Sequence, residues 1–294
     1  MGVVSKFVAN IVTKKGGSPV FDDPKEDFGL DYENVTFKAK DGVLLSGWLV
    51  NPGQKKVIIQ THFGIQCSRS GYTPKGKGLM KSWNENIRFL KHAKSLADQG
   101  YSILMYDMRN HGKSADGTSE WITGGVEEYK DVIAAVDYIS NHSDYKNASI
   151  GLLSICMGCN ATTYAYGIES GLQEFENIKA MVAIQPLGFD DFLDGIGMPN
   201  SLIERANYVS LRRGGADFHE SCLNNVKNIN VPTLLFQNAK DPFTKMDFIN
   251  DYYDQLQVEK ELFLPELKKN RLAAYAYFGE HPEKLVGWFN QYVH

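Results

Sequence analysis

The sequence has few cysteines, no long apolar run and no excess of basic charge, and each of these absences excludes a class of protein. Four cysteines in 294 residues are too few to crosslink a chain of this length, and unpaired thiols are typical of a reducing compartment. The apolar run at residues 7–12 is too short for a signal-peptide core or a membrane span. We therefore expect a cytoplasmic protein that has no membrane partner.

The distribution of charge excludes nucleic acid as a partner. The net charge is −4, and acidic and basic residues are interspersed without the basic stripe that binds phosphate backbones. No cluster of His, Cys, Asp and Glu has the spacing of a metal site, so we expect neither a metal nor a cofactor. With 43% apolar residues, the chain can bury the core of one large domain.

Short apolar strands alternate with amphipathic helices over most of the sequence. A hairpin is predicted first, with its turn at Asp41-Gly42. Further apolar runs end near positions 61, 106, 153, 184, 237 and 264, and helical patterns separate them. This order predicts an α/β fold with a mostly parallel, twisted sheet, which the antiparallel hairpin opens and helices cover on both faces.

Two segments lie outside the alternating pattern. Residues 1–30 are predicted to form a polar N-terminal extension that begins with a short amphipathic segment. Residues 31–294 are predicted to form one domain. Within it, residues 186–228 are rich in Gly and of mixed character, which is typical of a small lid.

The most informative motif places a cysteine where a buried strand runs directly into a helix. It reads Ser154-Ile155-Cys156-Met157-Gly158 and resembles the nucleophile elbow of the α/β-hydrolases, normally G-x-S-x-G. The sharp turn of that elbow requires small residues two positions before and two positions after the nucleophile. Ser154 and Gly158 meet this requirement, so Cys156 is the predicted nucleophile.

Three other interpretations of this motif remain open. Ser154 as nucleophile would need a small residue at position 152, where the sequence has Leu152. Cys156 and Cys159 have the C-x-x-C spacing of a redox pair, and a disulfide between them would inactivate the nucleophile reversibly. Cys156 could also be a small buried core residue, as free cysteines often are.

The same resemblance implies an acid and a histidine, in that order, after the nucleophile. Asp241, in a loop after an apolar strand, is similar to the acid of the family's G-x-x-D-P loop. His281 lies just before the closing helix, where the family's histidine is expected. The alternative roles are a turn-capping aspartate and an N-cap or surface histidine. The predicted catalytic residues are Cys156, Asp241 and His281.

An oxyanion hole is implied by the same resemblance. One N–H comes from the residue after the nucleophile, Met157, and a second from the loop after an earlier strand. There His62-Phe63-Gly64 resembles a rearranged H-G-x motif. Either Phe63 or Gly64 therefore supplies the second N–H.

The resemblance to the α/β-hydrolase superfamily spans about residues 35–293, and the cysteine at the elbow is similar to its dienelactone-hydrolase branch. It implies a hydrolase that cleaves a small ester, lactone or thioester through an acyl-cysteine intermediate. Two alternatives are an acyltransferase that passes the acyl group to an acceptor other than water, and a ligand-binding protein without catalysis. The expected partner is a small acyl compound, free or linked to a carrier or to CoA, bound by a monomer or homodimer.

Overall fold

An eight-stranded, mostly parallel sheet forms the centre of the computed structural model, which describes residues 2–77 and 84–294. The spatial order of its strands is β1-β2-β7-β3-β8-β9-β10-β11, and a separate small sheet contains β4, β5 and β6. The strands of both sheets are β1 Tyr32–Lys38, β2 Leu44–Val50, β3 Lys56–Thr61, β4 Cys67–Ser68, β5 Gly71–Tyr72, β6 Ile87–Arg88, β7 Ser102–Tyr106, β8 Ser149–Ile155, β9 Ile178–Ile184, β10 Thr233–Phe236 and β11 Lys260–Phe263.

The direction of the strands follows the predicted pattern. The hairpin strands β1 and β2 are antiparallel to each other, and β2 is antiparallel to β7. All the remaining neighbours in the main sheet pair in parallel. The prediction of a mostly parallel sheet opened by a hairpin is therefore confirmed.

Helices cover both faces of the sheet because its central strands are apolar on both sides. Successive residues of a strand point to opposite faces, and Leu152 and Leu153 accordingly belong to two different core clusters. The helices are α1 Val3–Thr13, α2 Pro24–Phe28, α3 Leu90–Ala97, α4 Tyr129–Asn141, α5 Met157–Gly167, α6 Phe189–Gly195, α7 Asn200–Arg212, α8 Leu223–Val226, α9 Met246–Gln255, α10 Leu272–Glu280 and α11 Glu283–Tyr292. Within the described ranges, none of them has the length and apolarity needed to cross a bilayer.

The N-terminal segment packs against the segment at 186–228, which contains α6, α7 and α8. The inner face of α1 forms a third apolar cluster with α6 and α7, through side chains that include Val8, Val12, Phe192 and Val209. Arg213, just after α7, ties the two segments together. Its Nη1 donates to Asn10 Oδ1 at 2.6 Å, and its guanidinium lies over the Trp121 ring at 3.6 Å.

Candidate active site

Cys156 occupies a sharp turn between β8 and α5. Its φ of 52° and ψ of −108° lie in a region that side chains with a Cβ rarely adopt, and such strain clusters at functional sites. The turn is held by the Cys156 N–H, which donates to Ile184 O at 2.8 Å. A Cβ on Gly158 would lie 2.5 Å from Thr61 O, so the position two residues after Cys156 must be glycine.

Ser154 is held in a hydrogen bond away from this turn. Its hydroxyl is 2.8 Å from Thr162 Oγ1, and Thr162 in turn donates to Gly158 O at 2.9 Å. Ser154 is buried. The small side chain at this position therefore supports the turn, and the serine interpretation has no support from its contacts.

Cys156 and Cys159 pack against different core clusters. Cys159 is buried in the core cluster of one face, with its Sγ 3.6 Å from Tyr252 Oη. Cys156 packs against the cluster of the other face. Both are free thiols, and burial raises the pKa of Cys159 to about 12. These contacts give Cys159 the surroundings of a core residue and do not favour the redox-pair interpretation.

The groups that face the Cys156 thiol are an arginine and a tyrosine. Arg271 and Tyr275 line the same pocket as Cys156, and Cys156 acts on the pKa of both groups. Arg271 Nε donates to Tyr275 Oη at 2.5 Å. Because that oxygen already accepts a hydrogen bond, the phenol can direct its own O–H to the sulfur. The two side chains sit four residues apart, one turn of helix, and so present both donors on one side.

Both groups keep their protons in these surroundings. Burial alone would lower the pKa of Arg271, but its acidic neighbours Tyr275, Asp241 and Cys156 outweigh burial and raise that pKa. Burial raises the pKa of Tyr275 well above its ordinary value, and the opposing effect of Arg271 is smaller. The thiol is therefore faced by a permanent cation and a neutral hydroxyl donor.

Asp241 is part of the same network, but its partner is Arg271. Its buried carboxylate forms an ion pair with Arg271 Nη1 and accepts from Thr244 Oγ1 at 2.9 Å and from Phe243 N at 3.2 Å. Arg271 Nη2 also donates to Gln185 O. The acid of the predicted triad thus orients an arginine.

The structure does not bring His281 to Cys156, and the predicted Cys156–Asp241–His281 arrangement is not formed. Arg271 precedes the first residue of α10 and His281 follows its last residue. Nine helical residues rise about 14 Å, so the two positions are at opposite ends of the helix. The His281 side chain is exposed, and its ring packs on Tyr277 with centroids 4.9 Å apart.

No other histidine among the described residues takes the place of His281. His62, which lies in the loop after β3, is buried. Its Nδ1 donates to Phe63 O at 2.6 Å, and its Nε2 accepts from Met108 N at 3.0 Å. Burial lowers the pKa of His62 well below its usual value. His62 therefore holds the backbone of the loop after β3 and stays neutral.

A small apolar pocket opens beside Cys156, with a cavity volume of about 70 Å³. The three predicted oxyanion-hole residues, Phe63, Gly64 and Met157, all line it. The Phe63 ring stacks on Tyr275 with centroids 4.6 Å apart. A Cβ on Gly64 would lie 2.7 Å from Met157 Sδ, so the two proposed donor segments are in contact. Which N–H groups serve as oxyanion donors remains a prediction.

The opposite wall of the pocket comes from the N-terminal helix and the 186–228 segment. These two segments contribute Val12, Leu187, Phe189 and Phe192, and Ile65 and Ile122 from elsewhere in the chain complete the apolar lining. The sequence suggested no role for Val12 in the site. A helix from the N-terminal extension therefore forms part of the pocket beside the candidate nucleophile.

The sequence contained a signal for Arg271 that the interpretation above did not use. Asn270 is of a residue type favoured at helix starts, and it precedes Arg-Leu-Ala-Ala-Tyr-Ala-Tyr-Phe, a run of which several residues favour helix. In the structure, Asn270 Oδ1 accepts from Leu272 N at 3.0 Å. A helix starting there places Arg271 in the loop after β11 and moves His281 one whole helix away.

Comparisons with known proteins agree with this fold. No protein-family model matches the sequence. The uncharacterised protein YfhR of Salmonella typhimurium is 23% identical over 243 residues, which are 80% of this chain and 73% of that protein. Among solved structures, an esterase of Pyrococcus furiosus matches with a TM-score of 0.69 at 21% identity, over 96% of this chain and 100% of its own.

Two further structures are similar at lower identity. Dienelactone hydrolase from Anabaena variabilis has a TM-score of 0.59 at 16% identity, covering 90% of this chain and 99% of its own. The α/β hydrolase GrgF from a Penicillium species has a TM-score of 0.62 at 15% identity, with the same coverage. The chain therefore has the α/β-hydrolase fold, as its sequence predicts.

Proposed function

We propose that this protein is an α/β-hydrolase-fold enzyme that accepts an acyl group from a small ester or thioester onto Cys156. The observation that carries this proposal is the position of Cys156 at the strained turn, with its thiol facing Arg271 and Tyr275. The thiolate is the nucleophilic form of a cysteine, and the proposed step uses it with Arg271 as the neighbouring cation. Attack then requires no histidine to remove the proton.

In the proposed acylation step, the Cys156 sulfur forms a bond to the carbonyl carbon. The carbonyl oxygen becomes an oxyanion, which the N–H of Met157 and one N–H from Phe63 or Gly64 would stabilise. Collapse of this intermediate breaks the bond to the leaving thiolate or alkoxide and produces an acyl-cysteine. The leaving thiolate or alkoxide takes up a proton from solvent.

The size and lining of the pocket favour a short apolar acyl group. A cavity of about 70 Å³ compares with about 10–15 Å³ for one water on the same scale, so it has room for a few heavy atoms. Its walls are formed almost entirely by aliphatic and aromatic side chains. Acetyl to butyryl groups fit this space.

The surroundings of Cys156 also favour slow release of the acyl group to water. Hydrolysis of an acyl-enzyme needs a base that deprotonates the attacking water. Among the described residues that face Cys156, Arg271 and Tyr275 both keep their protons, and Asp241 is bound to Arg271. This observation favours the second candidate function, an acyltransferase whose acceptor is a thiol or amine, over an efficient hydrolase.

The test uses p-nitrophenyl acetate and S-acetyl-N-acetylcysteamine with the wild-type protein and Cys156→Ala, with Ser154→Ala as the matched control. Intact mass spectrometry should show one acetyl group on wild type and Ser154→Ala, and none on Cys156→Ala. Adding a small thiol should release the acetyl group at least about tenfold faster than water does. Labelling of Cys156→Ala equal to that of wild type would refute Cys156 as the nucleophile. No labelling of any variant would support a ligand-binding protein without catalysis.

A further inference from the structure

We infer that a cationic groove beside α1 binds the anionic head of the acyl donor, whose acyl end reaches Cys156. This inference rests on the proposed acylation of Cys156 and names its substrate class: an ester or thioester that carries phosphate groups. The groove has a volume of about 430 Å³, several times that of the pocket at the thiol. It is the space available for the part of the donor that does not enter the pocket.

The groove combines apolar walls with three lysines. Its apolar part is formed by Phe7, Ile11 and Ile65, and its cations are Lys14, Lys15 and Lys77, while no carboxylate from the described part of the chain lines it. Apolar surface beside fixed cations matches a molecule with a hydrocarbon or pantetheine-like arm and a phosphate head, because lysine binds phosphate as a point charge.

Most of this positive charge is not neutralised. Within the ranges the structure describes, Lys15 pairs with Asp116, whereas Lys14 and Lys77 form no ion pair. The first 21 residues contain Lys6, Lys14 and Lys15 and no Asp or Glu, although the chain as a whole has a net charge of −4. The local potential at the groove is therefore opposite in sign to that of the molecule, and it attracts anions.

The backbone holds the lysines on the two sides of the groove. Gly17 N donates to Lys77 O at 2.5 Å, and Lys77 N donates to Gly17 O at 2.9 Å. This bridge fixes Lys77 close to the segment that follows α1. A Cβ on Gly17 would lie 3.0 Å from Lys77 Cβ, so glycine is needed for this close approach.

The groove and the pocket at Cys156 share a wall. Ile65 lines both spaces. The end of α1 also separates them, because Ile11 faces the groove and its neighbour Val12 faces the pocket. In the proposed binding mode, the head of the donor lies against the lysines and its acyl end passes beside Ile65 to the thiol.

The test compares donors that differ only in phosphate. Acetyl-CoA and S-acetylpantetheine carry the same acetyl thioester, and dibutyryl phosphatidic acid and dibutyrylglycerol form the corresponding ester pair. The rate of Cys156 acylation is measured against donor concentration for wild type, Lys14→Ala, Lys77→Ala and the double variant. Lys146→Ala is the control, because this exposed lysine precedes β8 and therefore lies at the end of the strand opposite to Cys156.

The expected result is a higher half-saturating concentration for the phosphorylated donor only. Each substitution should raise it about two- to fivefold and the double variant about tenfold, as for partly exposed ion pairs, with S-acetylpantetheine and Lys146→Ala unchanged. An effect confined to acetyl-CoA identifies CoA as the source of the phosphate, and an effect confined to dibutyryl phosphatidic acid identifies a lipid. Acylation by all donors with no difference between variants would overturn the proposal that the groove binds the phosphate head. No acylation by any donor would overturn the proposed function itself.

Discussion

Removing the charge of Arg271 should destabilise the protein more than removing both charges of its ion pair. Arg271 and Asp241 have side chains that are 2% and 0% exposed, so neither charge is solvated in the fold. The substitution Arg271→Gln leaves the Asp241 carboxylate buried without its cation, which typically costs about 3–5 kcal/mol. This is a large part of the roughly 5–15 kcal/mol that stabilises a typical domain. The double variant Asp241→Asn/Arg271→Gln has no unpaired charge, and we expect it to be at least about 1 kcal/mol more stable than Arg271→Gln.

The assay is urea unfolding followed by tryptophan fluorescence, for wild type, both single variants and the double variant. Arg212→Gln is the matched control, because Arg212 is exposed and should change the free energy of unfolding by less than about 0.5 kcal/mol. The coupling energy from the double-mutant cycle measures the pair directly. If the loss of unfolding free energy in the double variant equals the sum of the losses in the two single variants, the buried ion pair does not contribute the coupling that we expect.

Three further predictions use the strained turn, a buried histidine and the wall of the pocket. Cys156→Gly should raise the free energy of unfolding by about 1 kcal/mol because glycine relieves the strain of the positive φ. Cys156→Ala keeps the Cβ and should not raise it. Equal urea midpoints for the two variants would contradict this prediction. Burial lowers the pKa of His92 to about 4, below its value near 6.5 in the unfolded chain. The free energy of unfolding should therefore fall as the pH drops from about 6.5 toward 4, by up to about 1.4 kcal/mol per pH unit. In urea titrations at pH 7 and pH 5, His92→Gln should not show this dependence on pH. Val12→Ala should shift acylation from acetyl toward longer thioesters, whereas Val8→Ala, one turn earlier and outside the pocket, should keep the wild-type preference.

The elbow was predictable from sequence because the pattern that marks it is short. The extreme backbone angles of Cys156 arise within the turn, and the small residues two positions before and after it indicate that turn, although Thr61, which excludes a Cβ at Gly158, lies on β3. The alternation of strands and helices along the chain was predictable for a similar reason. Each strand carries its own apolar pattern, and buried parallel strands are apolar on both faces.

The partners of Cys156 depended on how a long segment after β11 folds, and the spacing of motifs could not determine it. The sequence between β11 and His281 allowed either a loop or a loop followed by a helix, and only the second places Arg271 beside the thiol. Asp241 was located in the correct loop, but the group it contacts comes from a distant part of the chain. Likewise, nothing in the pattern of α1 showed that Val12 would meet a pocket formed more than a hundred residues later.

The distribution of the site along the chain sets the order in which it can be completed during synthesis. Cys156 is made 115 residues before Arg271, and at typical rates of translation this interval lasts roughly ten seconds. During that interval the thiol has neither its cation nor the phenol of α10, although the residues of α1 and of the elbow have been synthesised. Under the proposed mechanism, a nascent chain therefore carries a cysteine without its neighbouring cation. Its reactivity would begin only when α10 packs beside the elbow, so chains that stop short of Arg271 should not react with acyl donors.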